Sequence, residues 1–85
     1  MKTMKYVIRD EVGIHARPAG MLVKEAKKFS SKITISCNGK HADLTKLLSL
    51  MSMGIKCGTE IEITAEGDDE DDAIEAVGNF LKENL

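Results

Sequence analysis

Long apolar runs are missing from this chain of 85 residues. None approaches the ~18 residues that a membrane-spanning helix requires. Met1-Lys2-Thr3-Met4-Lys5 leads straight into a strand-like alternation instead of a signal peptide. The cytoplasm is therefore the expected compartment. Cysteine is scarce: Cys37 and Cys57 lie far apart, form no Cys-x-x-Cys pair and have no companion histidines at ligand spacing. That argues against a four-ligand metal site and, in a cytoplasmic chain, leaves two free thiols. An excess of positive charge is lacking as well. The formal net charge of −2 speaks against nucleic acid or an anionic membrane as the main partner. Repeats, linkers, low-complexity segments and nucleotide-binding loops are absent too, so neither a cofactor nor a second domain is expected.

What is present, 42% hydrophobic and 31% charged residues, reads as one globular domain spanning residues 1–85. The single proline, Pro18, marks the most informative stretch, Gly13-Ile14-His15-Ala16-Arg17-Pro18-Ala19. Proline suits the first turn of a helix, where its missing N–H goes unused and its fixed φ is already helical. From Pro18 onward Ala19, Leu22, Val23, Ala26 and Phe29 recur at helical spacing and predict a helix to about Phe29. His15 and Arg17 thereby stand at a helix N-terminus, where free N–H groups and the helix dipole attract anions. A neutral imidazole is a nucleophile. A phosphoryl group on it would lie among backbone donors and beside a guanidinium, which pairs well with phosphate. On these features alone, a surface residue or a helix cap is the commoner reading of a lone histidine near a helix start.

Met4, Tyr6 and Ile8 alternate with Lys5, Val7 and Arg9 and predict a first, half-buried strand; Asp10-Glu11-Val12-Gly13 is then the loop that delivers His15. Ile33, Ile35 and Cys37 form the inner face of a second strand. Asn38-Gly39 predicts a type I′ hairpin, so Lys40 to about Leu44 returns as an antiparallel edge strand carrying a solvated His41. Thr45 to Met53 predicts a short helix with two apolar stripes, one through Leu44, Leu47, Leu50 and Met53, the other through Leu48, Met51 and Ile55. Either both are core or one is an exposed docking patch. Thr45 is the expected N-cap, because Lys46 cannot serve well there. Gly54 and Gly58 bracket a loop, and Ile61, Ile63 and Ala65 mark a fourth strand. The acidic run from Asp68 to Asp72 lacks the spaced ligands and internal glycine of a calcium loop. It reads as the cap and first turn of a last helix with core positions Ala73, Ile74, Val77, Phe80 and Leu81. The order βαββαβα, with strand faces that alternate, predicts an α/β (α+β) open-faced sandwich: a four-stranded antiparallel sheet with helices on one side.

The Gly13–Ala19 string resembles the active-site signature of the HPr family, the histidine phosphocarriers of the bacterial phosphoenolpyruvate:sugar phosphotransferase system. Leu50-Met51-Ser52-Met53-Gly54-Ile55 looks like the family's second signature. Asn38-Gly39-Lys40 and Ala65-Glu66-Gly67 also sit where the family has them, and the resemblance covers essentially all 85 residues. It implies three helices on one face of a sheet with strand order 1-4-2-3. It further implies a carrier and not an enzyme. His15 would accept a phosphoryl group at Nδ1 from Enzyme I and pass it to sugar-specific IIA proteins. Arg17 would pair with the phosphoryl oxygens, helped by the N–H groups of Ala16 and Arg17. The metal and the positioning would come from the partner. The short helix would dock partners, with Leu47, Leu48 and Met51 outward and Leu50 and Met53 inward. Gly20, one helical step beyond Arg17, either admits a partner's backbone or is drift, since the family more often has Ala or Thr there.

The chain departs from the family at Lys46, where serine is usual and, in many Gram-positive relatives, is phosphorylated by a regulatory kinase. Nothing in the sequence demands more than a monomer. Two other readings stand beside the carrier. One is a regulatory binding module on the same fold, although relatives that serve only regulation replace the histidine this chain keeps. The other is a small hydrolase using His15 as a base, which needs a nucleophile and an orienting carboxylate that the motif does not supply.

Overall fold

Strand alternation leaves the sheet with one dry face. The computed structural model describes residues 1–85, in the order β1 (Lys2–Val7), α1 (Ala16–Ala26), β2 (Lys32–Cys37), β3 (Lys40–Asp43), α2 (Leu47–Ser52), β4 (Glu60–Glu66) and α3 (Glu70–Asn84). All pairings are antiparallel, and the sheet order is β1-β4-β2-β3. The register sets Met4 opposite Ile63, Ile63 opposite Ile35 and Ile35 opposite Ala42, so one apolar row crosses all four strands. The next row, Lys5, Glu62, Ser36 and His41, is polar and points the other way. A slip of one residue would exchange the two faces, so burial fixes the register. The helices cover the apolar side: α3 packs on β1 and β4, α1 on α3, and α2 on α1 and β3. No helix is long and apolar enough to cross a membrane.

The hairpin forms as its sequence predicts, with Asn38 and Gly39 both left-handed at φ 51° and 80°. Three helix ends differ from expectation. The helix α1 begins at Ala16, two residues before Pro18, which still falls within the first turn where no N–H is missed. Its far end tightens after Ala26: the N–H groups of Lys28 and Phe29 donate to carbonyls three residues back. At α2 the N-cap position belongs to Lys46, whose side chain makes no capping bond, and not to Thr45. The reason is competition. Thr45 is held by Asp43, whose Oδ1 accepts both the Thr45 hydroxyl (2.6 Å) and its N–H (2.8 Å) in an Asx turn. Those two bonds, the hydroxyl first, hold the Asp43 carboxyl below its usual range.

The acidic run does start α3, but Asp69 does not cap its own helix. Its carboxylate accepts the N–H groups of Ser30 and Ser31, each at 2.9 Å, and the Ser31 hydroxyl. It thereby staples the start of α3 to the turn before β2, and the Ser31 hydroxyl above all pulls its pKa down. A carboxyl group whose folded pKa lies below the unfolded value contributes stability above about pH 4, and that contribution is lost as pH falls through the folded pKa. The melting temperature is therefore expected to be level near neutrality and to fall in acid. Asp69→Asn should start lower at pH 7 and fall less steeply below pH ~4. Thermal melts across pH 2–7 check this; parallel curves for the two proteins would deny Asp69 the role.

Candidate functional site

The loop that carries His15 is pinned from both sides. The N–H groups of Arg9 and Asp10 donate to the Leu85 carbonyl at 2.6 and 2.9 Å, which ties the loop to the end of α3. On the other side, the N–H of Ile14 donates to the Ile55 carbonyl at 3.0 Å, and Ile14 is buried. Gly13, at φ 81°, makes that approach possible. A Cβ there would overlap the Ile55 carbonyl oxygen and come within 2.7 Å of the Lys56 Cα.

The chain then turns into α1 with His15 at the N-cap in extended conformation (φ −109°, ψ 177°). Its carbonyl accepts the Ala19 N–H at 2.9 Å, while its imidazole caps nothing and is 42% exposed. The first N–H groups of α1, those of Ala16 and Arg17, have no carbonyl four residues back to receive them. No acidic residue occupies the first turn. α3 differs, since its first turn already carries Glu70, Asp71 and Asp72. The positive end of α1 is thus left for an external anion. Arg17 is exposed and enters no ion pair within the chain. It shares with His15 a cleft of about 260 Å³ whose other walls are Asp10, Pro18, Met21 and Asn84.

Asp10, Met21 and Asn84 are members that the sequence reading missed. Met21 lies four residues after Arg17, so helical spacing carries the signal for it. Asn84 arrives from the far end of α3 and leaves no local trace. Asp10 corrects the expectation that no carboxylate stands near the histidine: its Oδ2 is 4.0 Å from His15 Nε2. His41 lies elsewhere, exposed on β3, in a separate cleft with Asp43, Ser49 and Ser52. No three His, Cys, Asp or Glu side chains converge as metal ligands. Cys37 is buried and Cys57 exposed, both as free thiols.

The short helix α2, which packs on α1, splits its apolar residues. Leu50 is 1% exposed, and Met53 packs against the core. Leu48 is 85% exposed, with Leu47 at 40% and Met51 at 37%. Lys27, Phe29 and Lys46 line a cleft with Leu47 and Leu48, so an apolar surface has cations at its rim. Gly20 stands on the outer side of α1 with open space where a Cβ would be. Nothing within the chain requires it to be glycine.

Comparison with known proteins bears on the whole of this arrangement. Residues 2–83 match the family model described as PTS HPr component phosphorylation site. The phosphocarrier protein HPr of Mycoplasma capricolum subsp. capricolum is 52% identical over 77 residues, which is 91% of this chain and 86% of that protein. The solved structure of a mycoplasma histidine-containing phosphocarrier protein superposes with a TM-score of 0.94 at 48% identity, over 96% of this chain and 93% of its own. HPr from Thermoanaerobacter tengcongensis also reaches 0.94, at 36% identity, over 98% and 93% of the two chains.

Proposed function

Because the chain belongs to the HPr family of phosphotransferase-system phosphocarriers, we propose that His15 accepts a phosphoryl group from Enzyme I and passes it to sugar-specific IIA proteins. The observation that carries this reading is the open start of α1: a half-exposed imidazole, two free N–H groups and an uncommitted guanidinium around one cleft. In the transfer, the Nδ1 lone pair of His15 forms a bond to phosphorus. The bond from phosphorus to the donor atom breaks, and its electron pair leaves with the donor. The N–H groups of Ala16 and Arg17 and the Arg17 guanidinium then hold the phosphoryl oxygens. Leu47, Leu48, Met51 and Gly20 form the surface on which Enzyme I and IIA proteins dock, and in this reading the carrier works as a cytoplasmic monomer. Incubation with phosphoenolpyruvate and Enzyme I should add one acid-labile phosphoryl group, and omission of Enzyme I should abolish the gain. A protein that binds partners without gaining phosphate would be a regulatory module instead.

Lys46 sets this carrier apart from relatives regulated by a serine kinase. A lysine takes no phosphate from such a kinase, and its charge is opposite to that of phosphoserine. Of the neighbouring hydroxyls, that of Thr45 is bound to Asp43 and that of Ser52 to the Ser49 carbonyl. We therefore expect no incorporation from ATP and the regulatory kinase, and recovery in Lys46→Ser. Mass spectrometry decides the point, and acid-stable phosphate on Thr45, Ser49 or Ser52 of the unaltered chain would contradict it.

A further inference from the structure

One carboxylate in the His15 cleft has no part in the chemistry above. Asp10 is fixed at three points: its N–H donates to the Leu85 carbonyl (2.9 Å), its carbonyl accepts the Gly13 N–H (2.9 Å), and its Oδ1 accepts the Val12 N–H (2.9 Å). The side chain and the loop therefore hold each other rigid, as an Asx turn does. The second oxygen, Oδ2, is left over. It makes no hydrogen bond within the chain, and the one ionisable group within ion-pair reach is the His15 ring, with Nε2 at 4.0 Å. That gap is just beyond a direct hydrogen bond. A modest turn of the half-exposed ring closes it, and so does one bridging water. Such distances commonly tighten once a substrate is engaged.

We propose that Asp10 is a positioning residue for His15, holding the imidazole in its Nε2–H tautomer so that the lone pair resides on Nδ1. The inference rests on the carrier reading of His15. An ionised carboxylate accepts hydrogen bonds and donates none, so it selects the ring state with a proton on the nitrogen facing it. The imidazole has one proton to place, and fixing it at Nε2 leaves Nδ1 as the nucleophile. When Nδ1 bonds to phosphorus, the Nε2 proton stays where it is and the ring becomes a cation. Asp10 then faces that cation from the side away from the phosphoryl group. No proton has to leave during the step, and the donor departs with the electron pair of its broken bond.

Asp10→Asn isolates the effect, because its Oδ1 still accepts the Val12 N–H and keeps the turn. The amide now presents NH2 to Nε2 in place of an acceptor, which favours the opposite tautomer. Long-range 15N correlation spectra of the His15 ring, recorded where the ring is neutral, read the tautomer without any partner. The unaltered protein should be mainly Nε2–H, and Asp10→Asn should move the population toward Nδ1–H. Asp10→Ala should give a mixture. At saturating phosphorylated Enzyme I, transfer to Asp10→Asn should be about tenfold slower or more, with Enzyme I affinity unchanged. An unaltered protein that is mainly Nδ1–H overturns the proposal whatever the variants do. So does a tautomer ratio that Asp10→Asn leaves untouched, even if transfer slows. If the tautomer responds while phosphoenolpyruvate and Enzyme I never label His15, the carrier reading fails and the control of the ring by Asp10 stands.

Discussion

His15→Ala is expected to abolish phosphoryl acceptance and to move the melting temperature by no more than ~2–4 °C. The small stability effect follows from what the side chain touches. The imidazole is 42% exposed, caps no helix and has only Asp10 within ion-pair reach, at 4.0 Å. Surface substitutions of this kind stay within about ±0.5 kcal/mol, which in a domain of this size corresponds to those few degrees. The backbone bond from the Ala19 N–H to the His15 carbonyl survives the change. The activity effect is total because the other histidine, His41, is exposed on β3, away from the start of α1. His41→Ala should accept phosphate as the unaltered chain does. Labelling from phosphoenolpyruvate through Enzyme I reads both variants, and label retained by His15→Ala would put the acceptor elsewhere.

Leu50→Ala and Leu48→Ala should pull apart in the opposite sense. Leu50 is 1% exposed inside the core, so truncation removes its burial and leaves a cavity, at a cost of about 2–5 kcal/mol. The melting temperature should drop by roughly 8 °C or more. Leu48, 85% exposed on the same short helix, should shift it by ~2–4 °C at most while weakening affinity for Enzyme I or a IIA protein. An exposed apolar residue contributes most when a partner covers it. Melts and titrations on the two variants check the pair. Equal destabilisation would mean that the outer face of α2 is packed and not free.

The split between these leucines was only half legible in the sequence. Periodicity finds both stripes of α2, yet spacing alone does not say which one the rest of the fold will cover. Ile55 shows the limit plainly. Helical spacing groups it with Leu48 and Met51, but α2 ends at Ser52, the period lapses, and Ile55 is buried with its carbonyl on the Ile14 N–H. The features that local chemistry decides were readable: the Asn38-Gly39 turn, the dry face of each strand, the proline-marked start of α1. Alternation assigns a face to a strand but not a neighbour, so the order β1-β4-β2-β3 rested on the family resemblance. Side chains that bond across the chain were hidden for a similar reason. Asp43 taking Thr45 from the α2 cap, Asp69 reaching back to Ser30 and Ser31, and Asn84 closing the His15 cleft all depend on distances that only the folded chain sets. Asp10 was near in sequence, but nothing in its spacing from His15 says that its carboxylate turns toward the ring.

The central claim is that this chain both takes and gives up a phosphoryl group, and a chase experiment addresses it most directly. The protein is labelled with phosphoenolpyruvate and Enzyme I, separated from both, and mixed with a sugar-specific IIA protein. The label is expected to leave His15 and appear on the IIA protein, with the chain returned to its original mass. Label that remains on the chain in the presence of IIA proteins which accept it from other HPr proteins would contradict the account.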